Sequence, residues 1–258
     1  MHERVSDARV LAVVPARFAS TRFPGKIIAS LEGKPLVYYA YQRAAAASLV
    51  SKAVVATDDR QVVDALAPFD VPVIMTRSDH ASGTDRIAEV AERETDASII
   101  VNVQGDEPLM DPATIDAAIR PLLDRPDVVM STARHLITDA EEINDPNVVK
   151  VVCDINGLAL YFSRHPIPCI RDDADRAPLP RCHWQHLGLY AYRRDFLLAY
   201  AQMPQTPLEK LEKLEQLRVL ENGYRIAVVD TEYEAIGVDT PEDLERVRAI
   251  MASLREGT

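Results

Sequence analysis

Three cysteines in 258 residues, Cys153, Cys169 and Cys182, are an odd number with no CxxC spacing. That argues against a disulfide framework and a structural zinc site, and leaves the thiols buried or incidental. Long hydrophobic runs are missing too. No stretch approaches the ~18 apolar residues of a membrane span, and the opening MHERVSDAR has no apolar signal core. The expectation is a soluble, cytoplasmic chain with no membrane partner. Positive charge is also scarce: 29 Lys and Arg stand against 40 Asp and Glu, a net charge of -11. A surface of that sign repels polyanions, and no basic patch lies beyond the first loop, so nucleic acid is not an expected partner. Walker A loops, GxGxxG fingerprints and internal repeats are absent.

What is present begins with an apolar run. Residues 10–26, VLAVVPARFASTRFPGK, read as a buried strand that stops at Pro15 and opens into a loop. Arg17, Arg22 and Lys26 stand in that loop with Ser20 and Thr21 between them, donors that can converge on an oxygen-rich anion such as a nucleoside triphosphate. An ordinary solvated loop accounts for the three basic residues as well. The order that follows, GKPLVYYAYQRA with Pro35 opening a helix, is how a nucleotide-binding α/β unit begins. Because the chain is acidic, an anionic ligand held beside carboxylates requires a cation, and Mg2+ suits hard oxygen donors.

Further along, KAVVATDD and VPVIMT predict parallel strands with helix RQVVDALAPF between them, and a helix starts at about Ser82. A capped helix start explains Ser82 and Gly83 without a ligand. SIIVNVQGDEPLM is an apolar strand ending in Gln104, Gly105, Asp106 and Glu107; a carboxylate at such an end points into the ligand crevice, or caps a turn. From about 127 to 192 the strands DVVMSTA, NVVKVVC, LALYFS and HLGLYAY cluster without helices, which predicts an antiparallel layer. The charged, proline-rich RDDADRAPLPR within it reads as a mobile loop. TPLEKLEKLEQLRVLENG predicts one helix, with Thr206 as N-cap, Pro207 in the first turn, Glu209 completing a capping box and Gly223 past the end. Thr240, Pro241 and Asp243 start the last helix, with Asp239 just before it.

On PARFASTRFPGK, the later GKP, VQGDEP, FSRHPIP, QHLGLYAY, LEQLR and GVDTPEDL, the chain resembles the sugar nucleotidyltransferases that activate acidic sugars with CTP. The match runs from about residue 10 to 248 and is nearest to members acting on 3-deoxy-D-manno-octulosonate (KDO). The resemblance implies a Rossmann-like α/β nucleotidyltransferase fold with a mixed sheet, one domain over 1–258 whose insertion at about 127–192 completes the sugar site. It further implies a homodimer that transfers CMP from CTP to the anomeric hydroxyl of KDO for lipopolysaccharide synthesis. In residues, it implies CTP contacts at Ala16, Arg17, Ser20, Lys26, Arg77, Ser82 and Gly83, and Mg2+ at Asp106 and Asp239. Arg17, Lys26, Asp106 and Asp239 are the implied catalytic set; Gln104, Arg164, His186, Tyr190, Glu215 and Gln216 would meet KDO. His186 reads equally as a hydrogen-bonded core residue, and Glu215 and Gln216 as solvent-facing helix positions. Another acid sugar, such as a sialic acid, and a nucleotide-binding regulator without catalysis are the alternatives.

Overall fold

An apolar run with polar ends folds as a strand covered on both faces, and that logic orders the first half of the chain. The structure, a computed structural model, describes residues 8–19, 23–80, 82–172 and 181–256. Ser20, Thr21 and Arg22 of the first loop, and most of the RDDADRAPLPR segment, lie outside these residues. Two compact units divide the chain: Met1–Asp116 with Ala235–Thr258, and Ala117–Glu234.

In chain order, the first unit holds β1 (Val10–Pro15), a short hairpin of β2 (Ser30–Leu31) and β3 (Lys34–Pro35), α1 (Leu36–Ala46), β4 (Lys52–Thr57) and α2 (Arg60–Leu66). It continues with β5 (Val73–Met75), α3 (Gly83–Arg93), β6 (Ile99–Asn102) and α4 (Pro112–Asp124), in which the boundary between the units falls. The second unit holds β7 (Met130–Leu136), α5 (Ala140–Asn144), β8 (Lys150–Cys153), β9 (Ala159–Ser163), β10 (Trp184–Arg193), α6 (Arg194–Ala201), α7 (Pro207–Glu212), α8 (Leu217–Glu221) and β11 (Ile226–Thr231). Helix α9 (Pro241–Glu256) closes the chain in the first unit.

In the first unit the strands run parallel in the order β6, β1, β4, β5, with Val13 opposite both Val54 and Asn102. Val10, Leu11, Ala12, Val13 and Val14 are all at most 2% exposed, so β1 is buried along its length, as an unbroken apolar run requires. Parallel strands put their carboxyl ends at one edge, and the loops leaving β1 and β6 there form the crevice. Leu31 and Leu36 pack with Val238, Leu244 and Val247, which ties the start of α9 to the early hairpin. Each such buried side chain contributes about 1.5–3 kcal/mol.

In the second unit β7 pairs antiparallel with β10, β10 with β8, and β8 with β9, while β11 lies parallel to β7. The antiparallel pairing follows the clustered strands. One expectation needs correction: residues 206–223 are two helices. Lys213 adopts a left-handed conformation (φ 54) and parts α7 from α8. Leucines at every third position would circle a straight helix; the break buries Leu214 and Leu217 and leaves Leu211 80% exposed. Terminal carbonyls of α7 lack partners within the helix, and the Arg164 guanidinium supplies them, its Nε donating to Glu212 O at 2.7 Å and Nη2 to Lys213 O at 3.5 Å.

A left-handed lysine is strained because its Cβ crowds the following carbonyl, and glycine has no such crowding. Lys213→Gly should raise stability in urea unfolding by roughly 0.5 kcal/mol, and Lys213→Val should lower it by about 1 kcal/mol or more. Equal stability of the two variants would contradict a strained turn.

Candidate active site

Lys26 opens a short 3-10 turn over Lys26–Ile28, entered through Gly25 at φ 70, where a side chain would be strained. Its Nζ donates to Asp106 Oδ2 at 2.6 Å, to Asp239 Oδ1 at 2.8 Å and to the Val238 carbonyl at 3.0 Å. Burial pulls the ammonium down, but the carboxylates of Asp106 and Asp239 outweigh it, so the Lys26 pKa stands above its ordinary value. Lys26 is therefore a cation at any physiological pH.

Three loops have to meet for this contact to form. Gly105 lets the loop after β6 close on the end of β1: a Cβ there would come within 2.7 Å of the Pro15 carbonyl oxygen. Val238 N–H donates to the Asp106 carbonyl at 2.9 Å, joining that loop to the stretch before α9. Asp243 Oδ2 accepts both the Asp239 and Thr240 N–H groups at 2.9 Å, and Thr240 Oγ1 accepts the Asp243 N–H. This N-cap pair sets the direction of Asp239.

A pocket of about 350 Å3 lies here in the first unit. Pro15, Arg17 and Ala19 line it from the first loop, Lys26 and Ile27 from the turn, Gly83 from the start of α3, Gln104, Gly105 and Asp106 from the end of β6, and Asp239. Arg17 Nη2 is buried with no hydrogen-bond partner among the described residues. A buried donor without an acceptor is expected where an anionic ligand supplies one. Ala16 is fully buried, and its N–H goes to Ala56 O at 2.8 Å. Arg77 is exposed and paired with Asp79 at 3.1 Å. Ser82 caps α3: its Oγ accepts the Asp85 N–H, and Asp85 Oδ2 accepts the Ser82 N–H.

The two carboxylates fit a hard divalent cation. They converge on one cationic nitrogen, and among the described residues no cluster of three or more His, Cys, Asp or Glu is placed to hold a metal. Mg2+ takes one or two carboxylates and completes its shell with water and phosphate oxygens, which matches this donor set.

Of the residues expected at the sugar, Gln104 lines the pocket of the first unit and the others belong to the second. Arg164 donates to the Pro146, Glu212 and Lys213 carbonyls and borders a separate pocket of about 520 Å3 with Asn144, His165 and Glu212. His186 and Tyr190 lie ring to ring at 5.3 Å, with Phe162 edge-on to His186 at 5.0 Å. Burial pushes the Tyr190 hydroxyl well above its ordinary pKa, with Tyr200 and Glu215 adding to it, so it remains a neutral donor. Gln216 is buried, not solvent-facing, and its Nε2 has no partner among the described residues.

Two side chains near these sites gain their character only from the fold. Glu107 is buried beside Asp106, and burial together with that neighbour pushes its carboxyl up to about 8. It stands inside VQGDEP, where a buried strand end was the available signal. Lys150, fully buried, donates to the Asp145, Val148 and Arg164 carbonyls at 2.9, 2.6 and 2.7 Å; nothing in NVVKVVC marks it.

The cytidylyltransferase family profile matches residues 11–226. The chain is 56% identical over 250 residues to the 3-deoxy-manno-octulosonate cytidylyltransferase of Solibacter usitatus (strain Ellin6076), covering 96% of this chain and 97% of that one. A solved structure of CMP:2-keto-3-deoxy-manno-octonic acid synthetase complexed with CTP is 42% identical, with a TM-score of 0.88 over 95% of this chain and 99% of the other. The 4-diphosphocytidyl-2C-methyl-D-erythritol synthase of Anaerococcus prevotii shares the fold at a TM-score of 0.61 and 12% identity, covering 96% and 98%. The chain belongs to the cytidylyltransferase family, in the group of its 3-deoxy-manno-octulosonate relatives.

His186 yields a test. Its Nε2 lies 3.1 Å from Thr132 Oγ1, whose own proton goes to the Leu187 or Leu189 carbonyl, so Nε2 is the donor in this contact. Burial lowers its pKa to about 3 from an ordinary 6.5. Below pH 6.5 the unfolded chain takes up a proton that the folded chain refuses, so stability falls as pH drops from 6.5 towards 3. The cost is up to about 1.4 kcal/mol per pH unit. In urea titrations between pH 6.5 and 4.5, His186→Gln should lose stability with acid less steeply than wild type. Parallel pH curves would contradict a neutral buried imidazole.

Proposed function

We propose that the chain transfers CMP from CTP to the anomeric hydroxyl of KDO, giving CMP-KDO and pyrophosphate for lipopolysaccharide biosynthesis in the cytoplasm. The observation that carries the reading is the convergence of Lys26, Asp106 and Asp239 on one point of a pocket that also holds Arg17. The family and the CTP complex of a relative agree with it.

The sugar hydroxyl oxygen bonds to the α-phosphorus, the bond from that phosphorus to the bridging oxygen breaks, pyrophosphate departs with the oxygen, and the hydroxyl proton passes to water. Both reactants are anionic, so the protein's work is positioning and charge neutralisation. Arg17 and Lys26 would grip the β- and γ-phosphates and steady the leaving pyrophosphate. Arg77, Ser82 and Gly83 would meet the nucleoside. Asp106 and Asp239 would hold Mg2+, which when bound supplies positive charge to the α-phosphate and the incoming hydroxyl. In the second unit Arg164, His186, Tyr190, Glu215 and Gln216 would receive KDO: a guanidinium for its carboxylate, and hydrogen-bond donors and acceptors for its hydroxyls. A homodimer is implied by the resemblance, and Ile155 and Leu160, 102% and 62% exposed, are the apolar side chains of the β8–β9 hairpin on which to test it. Light scattering should report a dimer for wild type and a monomer for Leu160→Glu; a monomeric wild type would contradict this part.

Pyrophosphate release should require CTP, KDO and Mg2+ together, and release that persists without KDO or equally with a sialic acid would overturn the assignment. Asp106→Asn and Asp239→Asn should each lower kcat roughly 100-fold or more, the scale of losing a main electrostatic stabiliser. Because both serve one ion, the double variant should be little worse than the worse single one. An Asp239→Asn protein that is folded and fully active at low Mg2+ would reduce Asp239 to a helix-start residue.

A further inference from the structure

Residues 76–80 follow β5 on the way to α3, and one face of α3 holds them together with the end of the strand. Arg86, Glu89 and Arg93, spaced by three and four, stand on the same side of the helix. Glu89 is the centre of the group. Its Oε2 accepts the Arg77 N–H at 2.9 Å and pairs with His80 Nε2, and its Oε1 accepts from Arg93 Nη2. Arg93 Nη1 donates to the Met75 carbonyl at 2.6 Å. Arg86, 1% exposed, donates to Thr76 Oγ1 and pairs with Asp58 Oδ2 at 3.0 Å. The Glu89 side chain is 10% exposed and that of His80 6%, whereas the Arg77 side chain is left 69% exposed. The loop's backbone is therefore fastened from the helix side, while the Arg77 side chain stays at the surface, paired only with Asp79 of the same loop among the described residues.

We propose that Glu89 is a positioning residue for CTP. Its carboxylate fixes the backbone at Arg77 and the ring of His80, so that Arg77 at one end of the segment and Ser82 and Gly83 at the other keep a set spacing for the pyrimidine nucleoside. The proposal rests on the reading of residues 77–83 as the nucleotide segment. An ionised carboxylate is the group that suits this place: it accepts from a backbone N–H, an imidazole N–H and a guanidinium at once. Glutamine has the same shape, but it would turn an NH2 towards one of these donors.

The test compares wild type, Glu89→Gln, His80→Asn and Arg77→Ala by calorimetric CTP binding, by kinetics with CTP and KDO varied separately, and by thermal unfolding. For Glu89→Gln the expected result is about tenfold weaker CTP binding and a matching rise in KM for CTP, with kcat at saturating CTP and KM for KDO unchanged. A tenfold change corresponds to about 1.4 kcal/mol. His80→Asn, which leaves α3 untouched, should weaken CTP in the same direction and covers a Glu89→Gln protein that does not fold. Unchanged CTP affinity in both variants while Arg77→Ala weakens it would overturn the proposal and leave the nucleotide segment standing. Affinity unchanged in all three would overturn the segment as well. A general loss, with kcat, both KM values and Tm moving together, would make Glu89 a merely structural residue. A wild type that binds no CTP would overturn the proposed function itself.

Discussion

The contact on which the rest depends is the Lys26 ammonium held between two aspartates. Lys26 and Asp106 are 80 residues apart, and Lys26 and Asp239 are 213 apart, so no local motif could build it. Parallel strands bring the ends of β1 and β6 side by side, glycine at 105 removes the obstacle between them, and the cap of α9 aims Asp239 inward. Two carboxylates this close repel each other unless a cation lies between. The Asp239 side chain is 47% exposed, so water screens the pair and its contribution to stability is small, about 0–1 kcal/mol. What the ammonium supplies is placement.

The same electrostatics link the fold to the chemistry. A chain with a net charge of -11 repels anionic ligands, and only local positive charge lets one approach. Arg17, with a buried nitrogen that has no partner among the described residues, and Lys26 bring positive charge to the pocket from one loop and one turn. Asp106 and Asp239 form a carboxylate pair of the kind a hard divalent cation takes. In the second unit His186 and Tyr190 are kept neutral by burial, as suits groups that hydrogen-bond and carry no charge of their own.

Local patterns explain why much of this was legible in advance. β1 and β6 are unbroken apolar runs stopped by proline or polar residues, and the starts of α3, α7 and α9 carry Ser82, Thr206 and Thr240 with acidic residues three positions on. Such signals lie within a few residues of what they specify. The break at Lys213 was not legible, because it is decided by which leucines the second unit can bury. Nor were the roles of Glu89 and Lys150. Glu89 reads as one more polar position on α3 until the 76–80 loop folds back onto it, and Lys150 reads as a strand lysine until three carbonyls close round it. Lys26 itself reads in its loop as a phosphate ligand; its pairing with both aspartates is a long-range fact.

Crystals grown with CTP and Mn2+ as a scattering substitute for Mg2+ would test the central claim most directly. The account predicts an anomalous peak within coordination distance of both Asp106 and Asp239, with the Lys26 ammonium drawn from between them to a phosphate oxygen. Bound CTP with no peak in reach of both carboxylates, and Lys26 still bridging them, would contradict it.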